Sequence, residues 1–263
     1  MSKIPSLDSN EFADVMGGHY AQKQLGSRSR LIAWSHRRRM QTAYEMVRPF
    51  AGATLLDYGC GDGTFLGFVS RIFPNAVGVD ADGNQVEDCR RRFARLEGIQ
   101  FLTADELQSP DNDRRFGVIC CMEVLEHCLD DDADRLLDDL RRLLAPGGAI
   151  IISVPVELGP TLLAKETIRA IAGWRRIGDY QYRDSYRPAE LLRMVCAGSQ
   201  TGIERPRYPF GEGLAHSHKG FNWRRLRSRL EHSFVISEIR FSPFNGLAGL
   251  FSSQVWFRCE LPS

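Results

Sequence analysis

Three side chains able to move a proton or hold a cation stand close together near the middle of the chain: Glu123, Glu126 and His127. At spacings of three and four they share a face if the segment makes one helical turn. Two carboxylates and an imidazole converging there need partners, because a buried carboxylate is costly alone. Some sixty residues earlier, Gly59, Gly61 and Gly63 alternate with Cys60 and Asp62 behind Asp57. Glycines at a turn permit positive φ and let a ligand lie directly on the backbone. The N–H groups of a following helix N-terminus face the same spot. Ala76-Val77-Gly78-Val79-Asp80 then reads as a short strand ending in an acid, placed to accept hydrogen bonds from a ribose diol. Taken together, the turn and the acid point to a nucleoside-binding site.

The elements that must hold these groups follow from periodicity. Thr54 to Leu56 lead a buried strand into the glycine turn, and Phe65 to Phe73 form the helix beyond it. Strands are expected at 76–80, 99–103, 116–121 and 149–154. Helices are expected at 84–96 and at 132–144, where Leu136, Leu137, Leu140, Leu143 and Leu144 mark one face. Pro146-Gly147-Gly148 ends the latter helix and launches the fifth strand. This alternation is the signature of a doubly wound, mostly parallel sheet. Phe221 to His232 reads as the last helix. Strands at 233–241 and 252–260 follow it with no helix between them, which implies an antiparallel finish. Seven strands result, six of them in one direction and the C-terminal one reversed.

Asp57-Tyr58-Gly59-Cys60-Gly61-Asp62-Gly63 resembles the first motif of class I S-adenosylmethionine-dependent methyltransferases, and Asp80 matches that family's acid after strand two. The resemblance covers about 53–154 well and the terminal helix and strands loosely. It implies a Rossmann-like fold and S-adenosylmethionine as cofactor. It implies cofactor contacts from Asp57, Gly59, Cys60 and Gly61, and from Asp80 with Ala81. Asp105 and Glu106 would lie near the adenine amine, and Met122 at the end of strand four. A phosphate cradle recruits Lys or Arg; this turn has neither, and acids beside glycines suit a sulfonium. A dehydrogenase would place its third glycine where Thr64 stands.

Cys121-Met122-Glu123-Val124-Leu125-Glu126-His127 resembles two groups within that family: the O-methyltransferases of ubiquinone biosynthesis, and the 2′-O-methyltransferases of small-RNA 3′ ends. The second group binds a divalent ion through a Glu-x-x-Glu-His turn and a downstream His. Here His216-Ser217-His218-Lys219-Gly220-Phe221-Asn222-Trp223 is the downstream candidate, with either His216 or His218 as the matching residue. The implied metal set is Glu123, Glu126, His127 and His218 around a divalent cation such as Mg2+. Such a cation would lower the pKa of a substrate hydroxyl. Without it, His127 is a general base, with Glu123 and Glu126 beside it, and methyl transfer is an in-line displacement helped by alignment.

The chain divides into a helical N-terminal extension at 1–50, a core at 51–155 and 216–263, and an inserted substrate cap at 156–215. The extension carries Arg28, Arg30, Arg37, Arg38 and Arg39 around Trp34 and His36, either a solvated helix face or a surface for an anionic group. In the cap, helices are expected at 161–174 and 188–196, with Tyr180, Tyr182, Tyr186, Tyr208 and Phe210 as aromatic surface. Its basic residues Lys165, Arg169, Arg175 and Arg176 leave open a peripheral membrane contact.

A net charge of +1 over 263 residues argues against a nonspecific nucleic-acid binder. Seven cysteines, none in a C-x-x-C pair, fit reduced thiols in a cytoplasmic protein. Residues 1–12 lack an apolar stretch, so no secretory signal is expected. Breakers such as Pro146, Gly148, Pro155 and Pro160 interrupt the most apolar run and rule out a membrane span there. The expected activity is O-methylation of a small or lipid-like hydroxyl compound, with RNA ends or a non-catalytic cofactor-binding module as the alternatives.

Overall fold

The computed structural model describes residues 7–109, 113–174, 184–210, 213–245 and 251–262. Its centre is a seven-stranded sheet in the order β3-β2-β1-β4-β5-β9-β8. The strands are β1 (Leu55–Tyr58), β2 (Ala76–Asp80), β3 (Ile99–Thr103), β4 (Phe116–Met122), β5 (Leu144–Pro155), β8 (Val235–Ser242) and β9 (Gln254–Glu260). β1 to β5 pair in parallel, and β9 runs antiparallel to both β5 and β8. The sheet is therefore the mixed, doubly wound arrangement that the strand-helix alternation and its two closing strands predict.

The central strands are apolar on both sides, as a covered parallel sheet requires. Leu56, Ile119, Ile150 and Ile152 face one core with Leu136, Leu140, Leu226 and Leu230. These last come from α6 (Asp130–Leu143) and α9 (Trp223–Ser233). Leu55, Val118 and Ile151 face the other core with Val15, Met40, Phe65 and Val86. The partners belong to α1 (Ser9–Met16), α2 (Arg30–Val47), α3 (Thr64–Val69) and α4 (Gly83–Arg92). Three acids open α6 and Arg141 and Arg142 close it, each sign at the helix end whose dipole favours it.

β5 begins at Leu144, five residues before the expected start, because Leu144 already pairs with Phe116. The Pro146-Gly148 breakers are absorbed as a register shift between Phe116 and Val118 instead of ending the pairing. A hairpin, β6 (Arg207–Phe210) with β7 (Gly213–His216), is unexpected from the sequence. Pro209 lies inside β6, and proline argues against a strand except at an edge. The remaining α-helices among the described residues are α5 (Ala104–Gln108), α7 (Pro160–Trp174) and α8 (Pro188–Val195). Arg175, Arg176, Tyr180 and Tyr182 lie outside the described residues. No helix among the described residues is long and apolar enough to cross a membrane.

Candidate active site

The carboxyl ends of β1 and β4 open onto a crevice of about 610 Å³, lined by Asp57, Gly59, Cys60, Gly61, Met122 and Glu123 and, from the N-terminal helices, by Tyr20 and Arg39. This is where an open α/β sheet binds ligands. Gly59 has φ +78 and Gly61 φ +52, the left-handed region that glycine enters freely. A Cβ on Gly59 would lie 2.3 Å from Val124, so the turn and the β4 loop are packed at glycine distance. At Gly61 the nearest atom to such a Cβ is 4.0 Å away, which leaves the backbone open to the crevice.

Asp80 is oriented by backbone. One carboxylate oxygen accepts from the Gly61 N–H at 2.8 Å and the other from Asp82 N–H at 2.9 Å. Asp57 is buried and neither oxygen has a hydrogen-bond partner. Burial, reinforced by the charge of Asp80, pushes its pKa to about 7. A buried acceptor left without a donor normally costs stability, so Asp57 is shaped for a donor that comes with a ligand. Asp62 serves the protein instead: it accepts from the backbone N–H groups of Tyr20 at 2.7 Å, Ala21 at 3.3 Å and Thr64 at 3.1 Å. It thereby ties the N-terminal segment over the glycine turn.

Asp80, Ala81, Asp105 and Glu106 are not among the residues that line the crevice; Asp80 adjoins it through the Gly61 N–H that it holds. The Glu106 carboxylate accepts from Arg90 at 2.7 Å and from the Thr103 N–H at 2.7 Å. It completes a capping box at the start of α5, on which Asp105 is exposed. Glu106 is thus engaged in helix capping, which favours the same residue type.

The segment after β4 is not a helical turn beginning at Met122. Glu123 sits at φ +58, uncommon for a non-glycine residue and typical of functional turns. One of its carboxylate oxygens lies 3.7 Å from Arg39, and Glu123 stands near, but outside, the closest cluster of site groups. Glu126 and His127 turn inward and meet His218: ligand atoms from these three lie within 4.8 Å of one another. His127 Nε2 is 3.1 Å from His218 Nε2, and His218 Nε2 is 4.0 Å from a Glu126 oxygen.

The tautomer of His127 follows from its partners. Its Nδ1 is 2.9 Å from the His216 carbonyl, which can only accept, so Nδ1 carries the proton and Nε2 presents a lone pair. The same nitrogen lies 3.0 Å from the Tyr208 hydroxyl. His216 therefore contributes its backbone, and its own ring faces the Pro206 carbonyl at 3.3 Å; the ring in the site is His218. Burial, then the neighbouring His127, lowers the His218 pKa to about 4, so His218 is neutral near pH 7. Glu126 is fully buried with both oxygens unpartnered. Burial, then the charge of Glu123, pushes its pKa well up.

A second cavity of about 160 Å³ joins the crevice through His36, Arg39, Glu123, Arg169 and His218. Its floor is the buried Glu157, which accepts from Lys165 at 2.9 Å and from both terminal nitrogens of Arg169, at 2.9 and 2.7 Å. Tyr20 and His36 close the other side through a 2.8 Å hydrogen bond. Arg205 and Glu157 carry no sequence signal of their own, and Tyr208 reads there only as aromatic surface. They are single polar residues in a stretch without periodicity, and only the hairpin and the β5–α7 corner bring them here.

Residues 32–198 match the family model described as a methyltransferase domain. A ubiquinone biosynthesis O-methyltransferase of Chelativorans sp. (strain BNC1) is 27% identical over 200 residues, covering 73% of this chain and 74% of that protein. Among solved structures, an S-adenosylmethionine-dependent methyltransferase from Clostridium acetobutylicum ATCC 824 superposes with TM-score 0.59 at 14% identity, covering 97% of this chain and 99% of that one. The N-methyltransferase NodS from Bradyrhizobium japonicum WM9, in complex with S-adenosylhomocysteine, gives TM-score 0.55 at 15% identity, covering 97% and 100%. At these identities the structures speak for the fold.

Proposed function

The chain belongs to the methyltransferase-domain family and is a class I S-adenosylmethionine-dependent enzyme; from that premise we propose that it methylates a hydroxyl oxygen of a small or lipid-like acceptor. The observation that carries this reading is the cluster of Glu126, His127 and His218 beside the crevice. An amine acceptor that arrives neutral has its own lone pair, whereas a hydroxyl must lose its proton to become a good nucleophile. An imidazole whose Nδ1 is held by a backbone carbonyl, with a second imidazole beside it, is suited to that task.

S-adenosylmethionine, when bound, supplies a methyl group on a positively charged sulfonium. The residues present fit it. Asp80, already oriented by two backbone donors, would accept from the ribose hydroxyls. Gly59 and Gly61 let the ligand approach the backbone. Asp57, without a partner, is available to the amino group of the methionine part. His127 Nε2 takes the acceptor proton, and the Nδ1–H bond to the His216 carbonyl steadies the imidazolium that results. Met122 lies between the glycine turn and the histidines as apolar wall.

The same three side chains suit a divalent cation. Glu126 has two buried oxygens in want of positive charge, and His127 holds the backbone-oriented tautomer usual for a metal-ligating imidazole. Two imidazoles and one carboxylate favour a transition metal over Mg2+, which prefers oxygen ligands. A cation there would stabilise the deprotonated hydroxyl. Glu123, paired with Arg39, would stand outside that set.

A lipid-like acceptor is supported by the surface near the second cavity. α7 turns Lys165 and Arg169 inward to Glu157, while Leu163, Ile168 and Trp174 are 46%, 59% and 82% exposed. Trp34 and Phe244, both partly exposed, meet as tilted rings with centroids 5.6 Å apart. Such a face also suits peripheral membrane contact.

The test is transfer from radiolabelled S-adenosylmethionine to a panel of ortho-dihydroxybenzenes with and without alkyl tails. Label should appear on oxygen, tailed acceptors should show lower KM, and His127→Ala should lower kcat by about 100-fold or more. Label on nitrogen acceptors only, or an unaffected His127→Ala enzyme, would overturn the reading.

A further inference from the structure

We propose that Arg205 is a positioning residue for the transfer reaction, a clamp that fixes the His127 turn against the loop carrying His218. The inference rests on the reading of these two imidazoles as the proton-handling pair.

One nitrogen of the Arg205 guanidinium, Nη2, donates both to the carbonyl of Glu126 and to the carbonyl of Ser217, the latter at 3.2 Å. Those residues immediately precede His127 and His218. A single planar cation thus joins the two backbone segments whose rings meet at 3.1 Å. Among the described residues, the other backbone ties between them are the His216 N–H donating to the His127 carbonyl at 2.8 Å and the His127 ring donating to the His216 carbonyl, beside the contact of the two rings themselves. Both of those act at His216. Arg205 is the tie that reaches to Ser217, next to the second ring.

The clamp has a built seat. The guanidinium carbon lies 5.3 Å from the centroid of the Phe221 ring, within cation–π range. Gly220 has φ +78, and a Cβ there would lie 2.7 Å from Ile203 and 3.2 Å from the stem of Arg205. The chain can wrap the arginine this closely only without a side chain at that position. Gly220 is held in turn by its N–H to the Tyr186 hydroxyl at 2.9 Å. Burial lowers the pKa of Arg205 to about 10, which still leaves it charged at neutral pH. An exposed guanidinium would give weaker, water-shared hydrogen bonds. The same cation lies beside the buried Glu126 and lowers the cost of its charge.

The experiment combines hydrogen exchange with kinetics on the full chain, with catechol as the acceptor probe. In Arg205→Met, the His216 and Ser217 amides should exchange about tenfold faster or more, while the Tyr20, Gly61 and Thr64 amides of the cofactor cradle stay at native rates. kcat should fall about tenfold with KM for S-adenosylmethionine unchanged, and Arg205→Lys should recover most of both effects. Should Arg205→Met not fold, Phe221→Leu, which removes only the seat, is expected to move the same amides and kcat in the same direction by about two- to fivefold. Native exchange at His216 and Ser217, or equal losses in the Met and Lys variants, would overturn the clamp. Failure of the underlying reading looks different: the His127→Ala enzyme would then match the native one whatever Arg205 does.

Discussion

Asp57, Glu126 and Glu157 are all buried carboxylates, and the protein treats them in opposite ways. Glu157 is engaged by Lys165 and Arg169: burial alone would raise its pKa, but the two cations outweigh it and hold the group at about 2. Its folded pKa lies below the unfolded value, so its stabilisation is present above about pH 4.5 and is lost as pH falls toward 2. The full difference amounts to roughly 3 kcal/mol. Thermal melts between pH 5 and pH 2 should show a loss that Glu157→Gln lacks. That variant should also be less stable at pH 7, by about 3–5 kcal/mol, because two cations lose their partner. Asp57 has the contrary sign. Its pKa is raised to about 7, so its contribution to apo stability is full below the unfolded value near 3.8 and is lost as pH rises through 7. Asp57→Asn should flatten that part of the pH–stability curve, and S-adenosylmethionine should bind native protein more tightly at pH 8 than at pH 6. For Glu126, a melt with Co2+ added is decisive: native protein should gain about 2.7 kcal/mol at a hundredfold excess over the dissociation constant. Glu126→Gln should gain far less.

At the scale of elements, the strand-helix alternation was legible because the central strands are buried on both faces and read as unbroken apolar runs. The glycine turn and Asp80 could be placed in the fold from sequence because their geometry is local: a backbone bend and the acid at the end of the adjacent strand. The Glu123-to-His127 segment could not. Helical spacing puts three groups on one face, but the chain leaves β4 through the positive φ of Glu123, and that rotation sends one acid to Arg39 and the other two residues to His218. His218 could not be separated from His216 because the choice depends on the hairpin, whose Pro209 hides it. Removing the side chain while keeping the left-handed bend tests this. Glu123→Gly should fit the left-handed conformation at little backbone cost, and it leaves Arg39 buried without its acid. Unfolding should show a loss of about 1–3 kcal/mol, with the Glu126–His127 site otherwise intact.

The whole molecule is a cradle with a cover. The sheet supplies the crevice, and α1, α2 and the segment between them close over it through Asp62, which accepts the Tyr20 and Ala21 N–H groups. A Cβ on Gly18 would lie 2.2 Å from the Asp62 carboxylate, so cover and cradle interlock tightly. Asp62→Ala should therefore release S-adenosylhomocysteine about tenfold faster in a stopped-flow chase while leaving the sheet's melting cooperative. In the proposed function an adenosyl ligand rests on the Gly59–Gly61 backbone with its ribose on Asp80. Calorimetric titration with S-adenosylhomocysteine tests this most directly. One site per chain is expected, weakened at least about tenfold by Asp80→Ala. Absence of binding, or an affinity indifferent to Asp80, would contradict the account.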